Sequence, residues 1–167
     1  MVPILVERGF AMIHVVGAIA VMGPSQVAGR LLLFTLGRRV TPIAAGRVAL
    51  GLQPVAMILL VAAPASLPGI YLFAFLYGLV NGTMTIVRAT AIPDLLGRAG
   101  YGAISGLLAL PPTAVHAATP LVAAVVWARF GGYDMVTWSM VIAAFVAAGA
   151  FWAAAWAARR RHAAGMT

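Results

Sequence analysis

Five long apolar segments take up most of this 167-residue chain. About 20 consecutive apolar residues in a helix cross the core of a bilayer, and each segment is at least that long. Short connections rich in Gly, Pro, Ser and charged residues separate the segments, so we expect each to form one membrane-spanning helix. The predicted spans are residues 10–36, 42–63, 67–92, 100–128 and 133–158, followed by a basic tail at 159–167.

The composition and the pattern of the apolar runs decide the fold class. Hydrophobic residues make up 63% of the chain and charged residues 8%, whereas soluble domains are about half apolar and about a quarter charged. The runs are much longer than the strands of a membrane β-barrel and do not alternate with a period of two. The sequence therefore predicts an all-α, polytopic transmembrane bundle of about five helices that forms one domain within the lipid bilayer.

The charged residues exclude several classes of function. The net charge of +8 does not indicate nucleic-acid binding, because the arginines are scattered at helix ends without an accompanying basic or aromatic face. Cysteine is absent, which excludes disulfides and thiolate metal sites. The three acids, Glu7, Asp94 and Asp134, all lie at predicted helix ends. We therefore expect no metal and no cofactor, and a membrane-embedded enzyme is the least favoured alternative.

The positions of the arginines predict the orientation in the membrane. Connections rich in arginine alternate along the chain with connections of little net charge. The arginines lie at 38–39 with Arg47, at Arg98 and at 159–161, and the connections of little net charge are 62–69 and 129–134. Cytoplasmic loops carry an excess of positive residues. The pattern therefore favours an amino terminus outside and a carboxyl terminus in the cytoplasm.

Three polar residues in the third predicted span form the best candidate for a cavity lining. Asn81, Thr85 and Arg88 are spaced by four and three residues, so they share one face of a helix. Placing such side chains in the lipid core of a membrane costs free energy unless they face protein or water. The alternative is that the stripe makes hydrogen bonds between helices at a packing seam.

Other polar residues inside the spans are weaker candidates for a substrate pathway. Gln26 follows a Gly-Pro break, and Gln53 precedes Pro54. A histidine changes its charge near neutral pH, so His116 is a candidate proton carrier, or else a hydrogen-bonding group in a packed bundle. Arg30 either extends its charge to the membrane surface or helps to gate the inner side.

Small residues spaced by four let membrane helices approach closely. The Gly78–Gly82 and Gly102–Gly106 pairs have this spacing, and we expect both to lie at helix–helix contacts.

Two stretches of the sequence resemble transporters of the major facilitator superfamily. Residues 23–30, followed by Gly37-Arg38-Arg39, resemble the loop between the eighth and ninth helices of that family, with Phe34 where an acidic residue is usual. Its motif positions are Gly29, Arg30, Gly37, Arg38 and Arg39. The second stretch, at 77–102, is similar to the tenth and eleventh helices of bacterial members and includes Tyr77-Gly78, Asn81-Gly82, Arg88, Pro93, Gly97-Arg98 and Tyr101-Gly102.

The resemblance implies a fold and a function. The five spans would correspond to helices eight to twelve and residues 1–6 to the end of helix seven, so we expect a chain truncated at its amino terminus. The family binds a small molecule between two six-helix halves and exposes it to alternate sides. The implied function is secondary transport, in the specific form of proton-driven efflux across a bacterial inner membrane. A partner half or a second copy of the chain would then be needed. The alternative is a small membrane interaction protein or accessory subunit that transports nothing.

The orientation can be tested with reporter fusions. A reporter that is active only in the cytoplasm should be active when fused after Thr167 and inactive when fused after Gly69, because the arginine-rich connections stay inside. Activity at Gly69 together with none at Thr167 would contradict the assignment.

Overall fold

The computed structural model describes residues 1–36, 39–62, 66–96 and 101–163, and these ranges are almost wholly helical, with no strand among them. Five of the helices are long and apolar enough to cross a membrane. The predicted fold class is confirmed at this level: the chain is all-helical, with five candidate membrane spans. The described helices are α1 (Val2–Glu7), α2 (Met12–Leu36), α3 (Pro42–Ala62), α4 (Leu67–Leu96), α5 (Tyr101–Phe130) and α6 (Asp134–Ala163).

Local signals explain several helix ends. Proline is the first residue of α3, where a missing N–H costs nothing, and the hydroxyl of Thr41 caps the helix by accepting a hydrogen bond from the Ala44 N–H at 3.2 Å. After α5, Gly131 has a φ of +71° and its N–H donates to the Trp127 carbonyl at 2.8 Å, as at many helix carboxyl ends. Two helices are longer than predicted, since α4 continues to Leu96 and α6 to Ala163.

The helix α4 lies at the centre of the bundle. It packs most extensively against α2 and α3, and α3 in turn packs against α6. By contrast, α5 makes only slight contact with α4 and α6. None of the described residues in its apolar span, Ser105–Phe130, is buried, and α5 therefore presents apolar side chains almost all round.

Glycines let α2 and α4 approach until their backbones touch. A β-carbon at Gly82 would overlap the backbone of Gln26, and one at Gly29 would overlap the carbonyl of Leu79. At Gly78 it would lie 2.7 Å from the β-carbon of Ser25. The hydroxyl of Thr83 lies 3.4 Å from the Gly29 carbonyl oxygen across the same contact. The expected seam at Gly78–Gly82 is confirmed.

The second expected seam is wrong. A β-carbon at Gly102 or at Gly106 would meet nothing within 4 Å. The glycine spacing is the same as in α4, but α5 stands away from the other helices and offers these positions no partner.

A single arginine joins three segments at one end of the bundle. Gly9, at a φ of +82°, donates to the Val6 carbonyl at 3.0 Å, and Phe10 donates to the Leu5 carbonyl at 3.2 Å. This glycine-ended turn closes α1 and places Arg8 beside the bundle.

The Arg8 guanidinium donates to the carbonyl of Leu60 in the last turn of α3 and lies 3.6 Å from the carboxylate of Asp134 at the start of α6. The segment before α2, the end of α3 and the start of α6 therefore lie at the same end, as expected for helices that cross a membrane in alternating directions. We call this the Arg8 end.

The close approach of α2 and α4 predicts a large cost for one added methyl group. Gly82→Ala should destabilise the folded chain in detergent by about 1–3 kcal/mol, because the β-carbon overlaps backbone atoms and the helices must move apart. Gly149→Ala in α6 is the matched control, since a β-carbon there meets nothing within 4 Å. Thermal unfolding of the two variants provides the measurement. Equal stability of the two variants would contradict the seam.

Candidate functional site

A cleft of about 370 Å³ lies between α3, α4 and α6, and three polar side chains line it together with apolar ones. Gln53 comes from α3, while Asn81 and Arg88 come from α4. Their positions in the sequence did not reveal that the two helices bring them to one cavity. The lining residues are Leu50, Gln53 and Met57 of α3, Tyr77, Val80, Asn81, Met84 and Arg88 of α4, and Met140, Ala143, Ala144 and Ala147 of α6.

The α4 wall follows the helical repeat. Residues 77, 81, 84 and 88 are spaced by four, three and four, so they form one stripe along the helix. Asn81 and Arg88 are seven residues apart, which is about 10 Å along the axis. Arg88 lies two residues before the end of the apolar span Leu67–Thr90. The cleft therefore runs from the middle of the span to the end remote from Arg8.

The two carboxamides are half-buried and keep hydrogen-bonding capacity toward the cleft. One N–H of the Asn81 amide donates to the Tyr77 carbonyl of its own helix at 3.0 Å. A carboxamide has a second N–H and a carbonyl oxygen, so Asn81 can still bind another group. Gln53, from α3, lines the same cleft.

Flexible and aromatic side chains form the apolar walls. Met57, Met84 and Met140 line the cleft, and methionine adapts its shape to irregular contacts. The Tyr77 ring lies 5.6 Å from the Phe73 ring between centroids, tilted by 31°. Sequence reasoning missed this wall, although Tyr77 and Met84 have the same helical spacing as Asn81 and Arg88.

The remaining predicted pathway residues lie elsewhere. Thr85 is exposed at the edge of the α4 stripe, and its hydroxyl donates to the Asn81 carbonyl at 2.9 Å. Gln26 is half-buried on α2, where its backbone faces Gly82. His116 is exposed on α5. The structure therefore brings together Gln53, Asn81 and Arg88, and separates them from Thr85, Gln26 and His116.

The residues of the proposed loop motif do not form one group in the described structure. Gly29 and Arg30 lie inside α2, with Gly29 in the seam against α4 and Arg30 exposed. Arg39 is exposed just before α3. Gly37 and Arg38 lie outside the described residues.

Two other cavities are poor candidates for a polar ligand. The groove between α5 and α6, about 490 Å³, has Thr119 and Ser139 as its polar residues, and both hydroxyls donate to carbonyls of their own helices. The cavity between α2, α3 and α4, about 210 Å³, has only Thr83. In the described part of the chain, no group of three His, Cys, Asp or Glu residues has the arrangement of a metal site. A smaller cavity of about 170 Å³ lies at the Arg8 end, where Arg8 is already paired with Asp134. The cleft at Arg88 is therefore the candidate site.

Comparisons of the chain with protein-family models, with curated proteins and with solved structures found no match.

Thiol labelling can show whether the cleft holds water. The natural chain has no cysteine, so Asn81→Cys carries a single thiol. It should react at least about tenfold faster with an anionic, membrane-impermeant thiosulfonate than Phe75→Cys, because thiols react as thiolates, which form in water and not in lipid. Phe75 is the control because it is exposed on the same helix and does not line the cleft. Equal rates would indicate a dry packing seam.

Proposed function

We propose that this chain forms part or all of a secondary transporter of the major facilitator type, which moves a small molecule across the membrane by alternating access. The observation that carries the proposal is the convergence of Gln53, Asn81 and Arg88 on one cleft. Polar and ionisable residues inside membrane bundles mark substrate or ion pathways, because their desolvation is costly. A cavity of this size is also within the range that binds small molecules.

The helix arrangement supports the same proposal. Five candidate spans agree in number with helices eight to twelve of the family, and the stretch at 77–102 resembles its tenth and eleventh helices. In that architecture the substrate lies between two halves. We propose that a partner half or a second copy of the chain closes the cleft.

The location and the energy source are further parts of the proposal. The arginine pattern supports insertion in a bacterial inner membrane with the amino terminus outside and the carboxyl terminus in the cytoplasm. Efflux driven by protons would require a group that changes charge within the membrane. His116 is the candidate for this group, and its place on the loosely packed α5 would let it face a partner half.

A second candidate function is an accessory subunit that transports nothing. The slight packing of α5 against the other helices and the exposure of its apolar side chains favour this alternative, because such a helix has surface for another membrane protein. Transport by the purified chain would overturn the accessory-subunit alternative.

Arg88 should be required for transport and not for insertion. In proteoliposomes with an imposed proton gradient, a panel of anionic, neutral and cationic fluorescent compounds identifies the transported class. Arg88→Ala should lower the rate for that class by at least about tenfold, since a charged hydrogen bond contributes about 1.5–3 kcal/mol. Arg129→Ala, on the exposed end of α5, is the control and should keep the rate. Normal transport by Arg88→Ala would show that the polar stripe is a packing seam and not a substrate site.

A further inference from the structure

We propose that the cleft binds a small organic anion, a carboxylate on a flat apolar body, with the carboxylate on the Arg88 guanidinium. This inference rests on the proposed function for the movement of the ligand, but the binding step stands on the cleft alone.

The charge of the cleft selects an anion. Among the described residues that line it, Arg88 is charged and none is acidic. Glu7 and Asp134 lie at the opposite end of the bundle, where Asp134 pairs with Arg8. The third acid, Asp94, follows Arg88 by six residues in α4, beyond the apolar span that ends at Thr90. Arg88 is itself exposed, and the apolar walls behind it lower the dielectric constant along the cleft. An anion would therefore gain free energy in this cleft, and a cation would be repelled.

The chemistry of the charged group favours a carboxylate. A guanidinium has a planar set of N–H donors that matches the two oxygens of a carboxylate, and the pair forms two parallel hydrogen bonds. Arg88 lies near the end of the apolar span, so an anion arriving from water meets it first. The rest of the ligand then has to extend toward the middle of the membrane.

The lining beyond Arg88 sets the shape of the ligand body. Met84 lies one helical turn from Arg88, and Asn81 lies almost one turn further, at about 10 Å from Arg88 along the axis. A fused two-ring body of about 6–7 Å would lie against Met84 and extend as far as the side chains of Asn81 and Gln53, with van der Waals contact and no hydrogen bond. The alanines of α6 leave room opposite, and the cleft volume of about 370 Å³ holds a ligand of this size.

Equilibrium dialysis of three matched probes tests the charge preference. The full chain is placed in nanodiscs of neutral phosphatidylcholine, and empty nanodiscs give the background. The probes are 1-naphthoate, 1-naphthamide and 1-naphthylmethylammonium, which differ mainly in charge. We expect naphthoate to bind at least about tenfold more tightly than either other probe, because it alone forms a charged pair with Arg88.

Substitutions locate the binding. Arg88→Gln should weaken naphthoate binding by at least about tenfold, and Arg88→Lys should weaken it less because the charge remains. Arg129→Gln, with an exposed arginine outside the cleft, should bind like the unmodified chain. If Arg88→Gln does not fold, Arg88→Lys and the ranking of the three probes decide the outcome.

Other outcomes overturn the proposal. These are equal binding of the three probes, tighter binding of the ammonium, and unchanged naphthoate binding by a folded Arg88→Gln variant. Loss of naphthoate binding in nanodiscs of anionic phosphatidylglycerol would indicate that Arg88 binds the phosphate of a lipid headgroup and not a soluble anion. Binding of naphthoate without flux in proteoliposomes would keep the anion site and overturn transport by this chain on its own. Flux of a cation that is independent of Arg88 would keep transport and overturn the anion site.

Discussion

The contact between the backbones of α2 and α4 determines how the rest of the bundle is arranged. Lipid tails are as apolar as leucine side chains, so membrane helices gain little from hydrophobic burial and depend on close packing. Gly29, Gly78 and Gly82 remove the side chains that would hold the two helices apart. Because one side of α4 packs against α2, a different side faces α3. The stripe of Asn81 and Arg88 on α4 lines the cleft on that side.

The cleft differs from the rest of the bundle in the chemistry that it offers. Elsewhere the described serine and threonine hydroxyls mostly donate to carbonyls of their own helices, as those of Ser25 and Thr90 do, and so add little polarity to the interior. Gln53, Asn81 and Arg88 have more donors and acceptors than one backbone bond can use. Retaining such groups in a membrane has a free-energy cost. A ligand that binds them offsets that cost, which is the physical basis of the transporter proposal.

The sequence predicts the helices well and their partners poorly. Spans follow from the length of the apolar runs, and the shared face of Asn81 and Arg88 follows from the helical repeat. The spacing of residues within α4 does not show that Gln53 shares a cleft with Asn81 and Arg88, because the sequence of one helix does not identify the helix that packs against it. The same limit explains the glycine pairs: Gly78–Gly82 meets α2, whereas Gly102–Gly106 has identical spacing and meets open space. Thr85 fails as a lining residue because it lies at the edge of the stripe.

The contacts of Arg8 have a consequence for the order of synthesis. Arg8 precedes both of its partners in the sequence, and its acceptor on Leu60 exists only after the end of α3 has been made. Its acidic neighbour, Asp134, follows more than seventy residues later still. During translation the guanidinium therefore stays hydrated at the membrane surface until α3 has been made, and it gains its acidic neighbour only after α4 and α5. The Arg8 end is completed only when α6 begins to emerge, so Arg8 and the start of α6 come together in a late step of assembly.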